Sequence, residues 1–214
     1  MRYEHFEAIE KHAGKLAVLI AIMVAIGGLA ELTPIFVEAH SARPAPGVRP
    51  YDALRLAGRD VYVREACYQC HSQMIRTLRF EVERYGPYST IADSAYDRPF
   101  QWGSKRTGPD LARVGGKYSD EWHRLHLLRP RDLVPESNMP NYPWLAGRKL
   151  DGDDIQARMR TLRLLGDPYT DADIADAPDA VKGRTELDAL VAYLQGLGAA
   201  AAIRDGGDGA EAIP

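Results

Sequence analysis

Near its start the chain carries one long apolar block rather than a periodic pattern. Leu16–Ala30 (LAVLIAIMVAIGGLA) holds no charge, and after Glu31 the apolar character resumes through Val37, giving 22 residues from Leu16 to Val37. About 20 such residues suffice to cross a bilayer core, so the block predicts a transmembrane helix over 16–37. Further along the pattern becomes helical in period. Leu54–Ala66 (LRLAGRDVYVREA) reads as one helix, and in Leu187–Leu197 (LDALVAYLQGL) the residues Leu187, Leu190, Val191, Leu194 and Leu197 share one face. Gly58 and Tyr62 on the first helix and Tyr193 on the last predict a close crossing, a small residue admitting a large one. Ser119–Leu128 opens with an acidic turn and places Trp122, Leu125 and Leu128 on one side. Asp153–Leu164 reads as a further helix, capped by Asp153 or Asp151. No segment alternates convincingly with period two, so the fold is expected to be mostly α.

Between these elements the chain divides naturally. Residues 1–15 form a polar N-terminal stretch and 38–50 a linker in which Ser41–Pro50 (SARPAPGVRP) has three prolines, the signature of an extended, semi-rigid spacer. Residues 51–198 form the folded domain. The stretch 199–214 is small and acidic without periodicity, and is read as a disordered tail. Gly28-Leu29-Ala30 resembles a signal-peptide cleavage site, but the region before the apolar run contains Glu4, Glu7 and Glu10, which favours a retained anchor. Lys and Arg are balanced on the two sides of the span and do not orient it. Glu31 is the costly residue there, and hints that the helix packs on a partner.

Composition narrows the field. With 214 residues and 45% apolar content the chain can bury one modest core. A net charge of -3 gives no case for nucleic-acid binding. The charge is uneven, however: residues 76–131 carry eleven Lys/Arg against seven Asp/Glu, and residues 132–214 carry eight against fifteen. This is either ordinary solvated surface or a docking asymmetry for a redox partner.

The chemistry concentrates in Cys67-Tyr68-Gln69-Cys70-His71, which contains both cysteines of the chain. Cys-x-x-Cys-His is the attachment motif of c-type haem: two thiols a helical turn apart reach the two vinyl groups of the porphyrin, and the adjoining histidine ligates iron. A thioredoxin-like pair would follow a strand in a βαβ unit, and none is found. A zinc site would need more ligands, and His123 with His126, the only histidine pair at ligand spacing, reads as surface or core filling on an amphipathic helix. A low-spin electron carrier also needs a sixth ligand, usually methionine. Met23 lies in the span, Met74 is too close to His71 to reach the opposite face, and Met159 sits with Ile155 and Leu162 on a helix face. Met139, in the helix-free loop Pro135–Pro143, is the choice. With both axial positions filled by His71 and Met139, oxygen has no coordination site, which points to electron transfer and assigns no catalytic residue.

Several stretches together resemble subunit II of the cbb3-type cytochrome c oxidases, the membrane-anchored mono-haem subunit. They are Gly27-Gly28 with Glu31 and Pro34, then Cys67–Ser89, Trp102–His123 and Arg129–Leu145. The resemblance implies a class I cytochrome c-like domain with a long insertion, Ser72 to Thr107, that faces the catalytic subunit. It implies that the Pro109 carbonyl accepts a hydrogen bond from His71. It implies one covalent haem c, fed by the dihaem subunit III or a soluble cytochrome c, that passes electrons to haem b of the catalytic haem-copper subunit I, where oxygen is reduced. A calcium ion at the contact with that subunit is also implied, with Ser104 as a candidate contributor; a turn or cap role for Ser104 is the alternative. The N-terminus would be cytoplasmic and the haem domain periplasmic, in a bacterial inner membrane. Rival readings are a free-standing anchored cytochrome or nitric oxide reductase small subunit and, from another class, an anchored thiol redox or scaffold module.

Overall fold

The computed structural model describes residues 7, 9–41 and 43–198, the side chains of 35–41 excepted. Residues 1–6 and 8 of the N-terminal stretch lie outside these, and so does the whole of the tail at 199–214. The chain is mostly helical, without a strand among the described residues. It forms two compact units, Met1–Ser41 and Ala42–Pro214.

Most of the described part of the first unit is one long helix, α1 (Ala13–Ser41), of 29 residues. At about 1.5 Å per residue it exceeds a hydrocarbon core of about 30 Å. Its portion Ala13–Pro34 is long and apolar enough to cross a membrane. Polar groups inside such a span must find partners within the helix, and the Thr33 hydroxyl does so by donating to Leu29 O at 2.6 Å.

In the second unit α2 (Ala53–Arg64) begins where Asp52 accepts from Arg55 N. After it come a 3₁₀ turn (Cys67–Gln69), α3 (Arg79–Tyr85), a 3₁₀ turn (Ile91–Ser94), α4 (Asp120–Leu128) and the short α5 (Pro130–Leu133). A 3₁₀ turn (Pro143–Ala146), α6 (Gly152–Leu164), α7 (Asp171–Val181) and α8 (Glu186–Gly196) complete the order. Ser119 caps α4 by accepting from Trp122 N, and Asp151, rather than Asp153, caps α6. Thr170 with Asp173 and Thr185 with Asp188 form reciprocal capping boxes on α7 and α8.

The expected crossing of the first and last domain helices organises the core. A Cβ on Gly58 of α2 would stand 1.9 Å from Ala189 O of α8, so only glycine lets the two backbones approach this closely. Tyr62 and Tyr193 meet beside this contact with ring centroids 5.5 Å apart, and Tyr51 adds a third ring 5.7 Å from Tyr193. One apolar cluster joins Val61, Tyr62, Leu127, Leu145 and the buried face of α8; a second joins Ala53, Leu56, Ile155, Met159, Ile174 and Val181.

Helix α7 is not among the expected elements; its sequence is acidic and holds Pro178. The proline lacks the N–H that would bond Ile174 O, and Gln156 Nε2 of α6 donates to that carbonyl instead at 3.0 Å. A tertiary partner thus satisfies what the proline leaves open. The proline-rich segment 43–50 is non-helical, and Ala45 N donates to Ala92 O at 3.0 Å, tying it to the domain.

Much of the positive charge counted over 76–131 is engaged internally. Arg98 pairs with the buried Asp167 at 2.8 Å and Arg124 with Asp188 at 2.7 Å, while Arg76 and Arg106 converge on Glu81.

Candidate functional site

Helix α2 delivers the chain to the Cys-x-x-Cys-His sequence and then stops sharply. Glu65 N still bonds Val61 O at 2.9 Å, but Ala66 turns into the left-handed region with φ 56°. That conformation costs a non-glycine residue about 1–2 kcal/mol, which the surrounding contacts must offset. It folds the next residues into a tight turn: Cys70 N and His71 N both donate to Cys67 O, at 3.1 and 3.0 Å. Cys67 and Cys70 therefore lie one turn apart with His71 next to them. Both thiols are unpaired, Cys67 half-buried and Cys70 exposed. Burial, reinforced by the negative charge of Glu65, pushes the Cys67 thiol up to about 12.

His71 is held from two sides. Its Nδ1 lies 2.8 Å from Pro109 O. A carbonyl can only accept, so Nδ1 carries the proton and Nε2 presents a free lone pair. The ring lies flat against Gly108, where a Cβ would stand 2.2 Å from His71 Cε1. Burial lowers the histidine's affinity for a second proton, although Pro109 and Asp110 oppose this.

Met139 lies in an irregular loop and is half-buried. It packs on the first apolar cluster, as do Cys67, Leu128 and Tyr142. The loop is anchored at several points: Met139 N donates to Ser137 Oγ at 3.2 Å, Tyr142 N to Leu127 O at 3.0 Å, and Trp144 Nε1 to Glu65 Oε2 at 3.2 Å. The last bond ties the methionine loop to the residue two before Cys67. Met159, by contrast, is 1% exposed in the second cluster, and Met74 binds through its backbone N to Asp110 at 2.9 Å.

The remaining sequence candidates are placed as follows. His123 is buried, and the His126 ring stacks on Trp122 with centroids 4.6 Å apart. His123 Nε2 and His126 Nδ1 are buried without a hydrogen-bond partner, and burial holds both rings toward the neutral form. Ser104 is exposed beside Gly103, whose φ is 57°. Among the described residues no group of three or more His, Cys, Asp or Glu is placed to hold a metal ion.

Sequence reasoning missed the polar seam that joins the residues after His71 to those around Pro109. Ser72 Oγ donates to Asp110 Oδ2 at 2.6 Å, and Arg106 donates to Ser72 Oγ, to Met74 O at 2.9 Å and to Glu81 Oε2 at 2.8 Å. Glu81, 1% exposed, also takes Arg76 N at 2.8 Å. These arginines hold its carboxyl down at about 2 although burial opposes them. The local pattern carries no sign of this seam, because its members are separated by up to 38 residues.

The donor set suits a covalently attached haem. Two unpaired thiols one turn apart and an imidazole with Nδ1 tethered and Nε2 free are what such a group requires. Met139 offers a soft thioether from a separate loop.

In comparison with known proteins, a family model described as cytochrome C oxidase, mono-heme subunit/FixO matches residues 6–185. No curated protein matches the chain.

Proposed function

The chain belongs to the FixO family of mono-haem cytochrome c oxidase subunits, and from that premise we propose that it is the electron-relay subunit of a cbb3-type haem–copper oxidase. In this reading Cys67 and Cys70 would hold one haem c through thioether bonds, and His71 and Met139 would ligate its iron. The haem, when bound, supplies a one-electron ferric/ferrous couple. The observation that carries the reading is the His71–Pro109 contact at 2.8 Å on the same turn as two unpaired cysteines.

Each residue then has a defined task. Pro109 fixes the tautomer of His71 and so directs Nε2 outward as a ligand. Gly108 leaves room for the ring to lie against the backbone. Met139 brings a soft ligand that favours the ferrous state, on a loop fixed by Trp144 to the end of α2. The apolar cluster on which Cys67 and Met139 pack would limit the access of water to the group.

Electrons enter from the dihaem subunit III or a soluble cytochrome c and leave to haem b of the catalytic subunit, where oxygen is reduced. Helix α1 serves as the single-pass anchor, its N-terminus cytoplasmic and the haem domain periplasmic, since haem of this type is attached outside the inner membrane. The insertion from Ser72 to Thr107 supplies the contact with the catalytic subunit, and Ser104 within it is the candidate contributor to a calcium ion there.

Purification in mild detergent, with haem staining of a denaturing gel and a reduced-minus-oxidised spectrum, tests this. Haem stain on this chain and b-type haem in a larger co-purifying polypeptide are expected, and Cys70→Ala should impair attachment. A stained chain that travels alone would leave a cytochrome without an oxidase, and an unstained chain would end the haem reading.

A further inference from the structure

Next to the His71–Pro109 contact lies a pair of opposite charges, Asp110 buried and Arg106 partly buried, that the relay reading leaves without a role. The Asp110 side chain is 0% exposed. Its Oδ2 accepts from Ser72 Oγ at 2.6 Å and from Met74 N at 2.9 Å, and its Oδ1 accepts from Ala112 N at 2.8 Å. The carboxylate thus joins residues 72–74, which follow His71, to residues 109–112, which supply the carbonyl that His71 uses. Two backbone bonds close the same seam, Gly108 N to Cys70 O at 2.9 Å and Leu111 N to Ser72 O at 2.8 Å. The Arg106 guanidinium stands 3.7 Å from Asp110 Oδ2 and reaches Ser72 Oγ, Met74 O and Glu81 as well.

We propose that Asp110 and Arg106 are opposed positioning residues for His71, setting how strongly its imidazole donates to the haem iron: Asp110 lowers the reduction potential and Arg106 raises it. This rests on His71 being the haem ligand. Oxidation of the iron adds a positive charge, which a buried carboxylate nearby stabilises and a partly buried guanidinium opposes. The carboxylate also favours a more electron-rich imidazole, because His71 Nδ1–H is polarised toward the carbonyl of the residue adjoining Asp110. Water screens such effects at a surface, but Asp110 is fully covered and Arg106 is only 21% exposed.

Redox titration of the full-length, haem-bearing chain tests the pair through opposite signs. Asp110→Asn keeps the shape and removes the charge. It should move the ferric/ferrous equilibrium about tenfold toward ferrous, a rise of about 59 mV for one electron. Arg106→Gln should lower the potential by a similar factor, Arg106→Lys should restore it, and the double variant Asp110→Asn/Arg106→Gln should fall near the parent. A merely structural role would loosen the site in both single variants, moving them the same way without cancellation in the double. Shifts of the same sign, or no shift in folded haem-bearing variants, would overturn the proposal. Should Arg106→Gln fail to fold, Asp110→Asn and the double variant decide by the same criteria. A parent chain without covalent haem would instead defeat the relay reading itself.

Discussion

Replacing Gly58 with alanine tests the helix crossing on which the site depends. The added Cβ would stand 1.9 Å from Ala189 O, 2.5 Å from Ala189 C and 2.7 Å from Tyr193 Cβ. These atoms are backbone or the root of a side chain, so no rotamer change relieves them. Bringing the first contact from 1.9 Å to the ordinary 3.4 Å requires α2 and α8 to part locally by about 1.5 Å. Overpacking of a tight core costs about 1–3 kcal/mol, and a clash against backbone belongs at or above the top of that range. Alanine recovers about 1 kcal/mol of helix propensity. The net loss is then about 2 kcal/mol or more, and at about 2–4 °C per kcal/mol for a domain of this size the Tm should fall by at least about 4–8 °C. Parting the helices also disturbs the Tyr62–Tyr193 ring pair and the Tyr193 OH bond to Gln73 Oε1 at 3.0 Å. The assay is thermal unfolding followed by circular dichroism, with Gly147→Ala as the reference. Gly147 has a φ of -92° and meets nothing closer than Trp144 O at 3.7 Å, so its alanine variant should stay within about 1 kcal/mol of the parent. If Gly58→Ala proved as stable as Gly147→Ala, the close-crossing argument would be wrong.

Substituting the two methionines tests the proposed ligand against a core residue. Met139→Ala should keep covalent haem, lose the sulfur-to-iron absorption band and lower the potential, whereas Met159→Ala should leave the spectrum alone and cost about 2–5 kcal/mol through the cavity it opens in the second cluster. An unchanged sulfur band in Met139→Ala would transfer the ligand role elsewhere. Acid should weaken the seam beside the site in a defined window. The Glu81 carboxyl is depressed to about 2 by Arg76 and Arg106, so its contribution is complete above an ordinary carboxyl pKa of about 4.3 and is lost as pH falls from there through 2. The stability difference between the parent and Glu81→Gln should therefore shrink across that interval, as read from unfolding midpoints against pH; a difference independent of pH would refute the assignment.

Legibility in the sequence followed the range of each interaction. The capped, periodic helices α4, α6 and α8 lie close to their expected bounds, because caps and apolar spacing act within a few residues. Helix α7 escaped because Pro178 argues locally against a helix, and the compensating donor, Gln156, belongs to another one. The charge count over 76–131 likewise reported composition, but not that Arg98 and Arg106 face inward to Asp167, Glu81 and Asp110.

For the site itself the division is similar. The turn that sets Cys67, Cys70 and His71 together is written into five consecutive residues. The length of the apolar block determines that one helix can cross a membrane, since hydrocarbon tests only how many residues run without charge. Tertiary structure alone decided that Ser72, Met74 and Arg106 meet around Asp110 while Arg106 also reaches Glu81, that Gly108 lies against the His71 ring, and that Met139 packs on the same cluster as Cys67 while Met159 packs on another. Those outcomes depend on which side chains burial brings together across tens of residues. No local pattern encodes that, because a buried charge or a packed ring is stable only with the partner that the fold delivers to it.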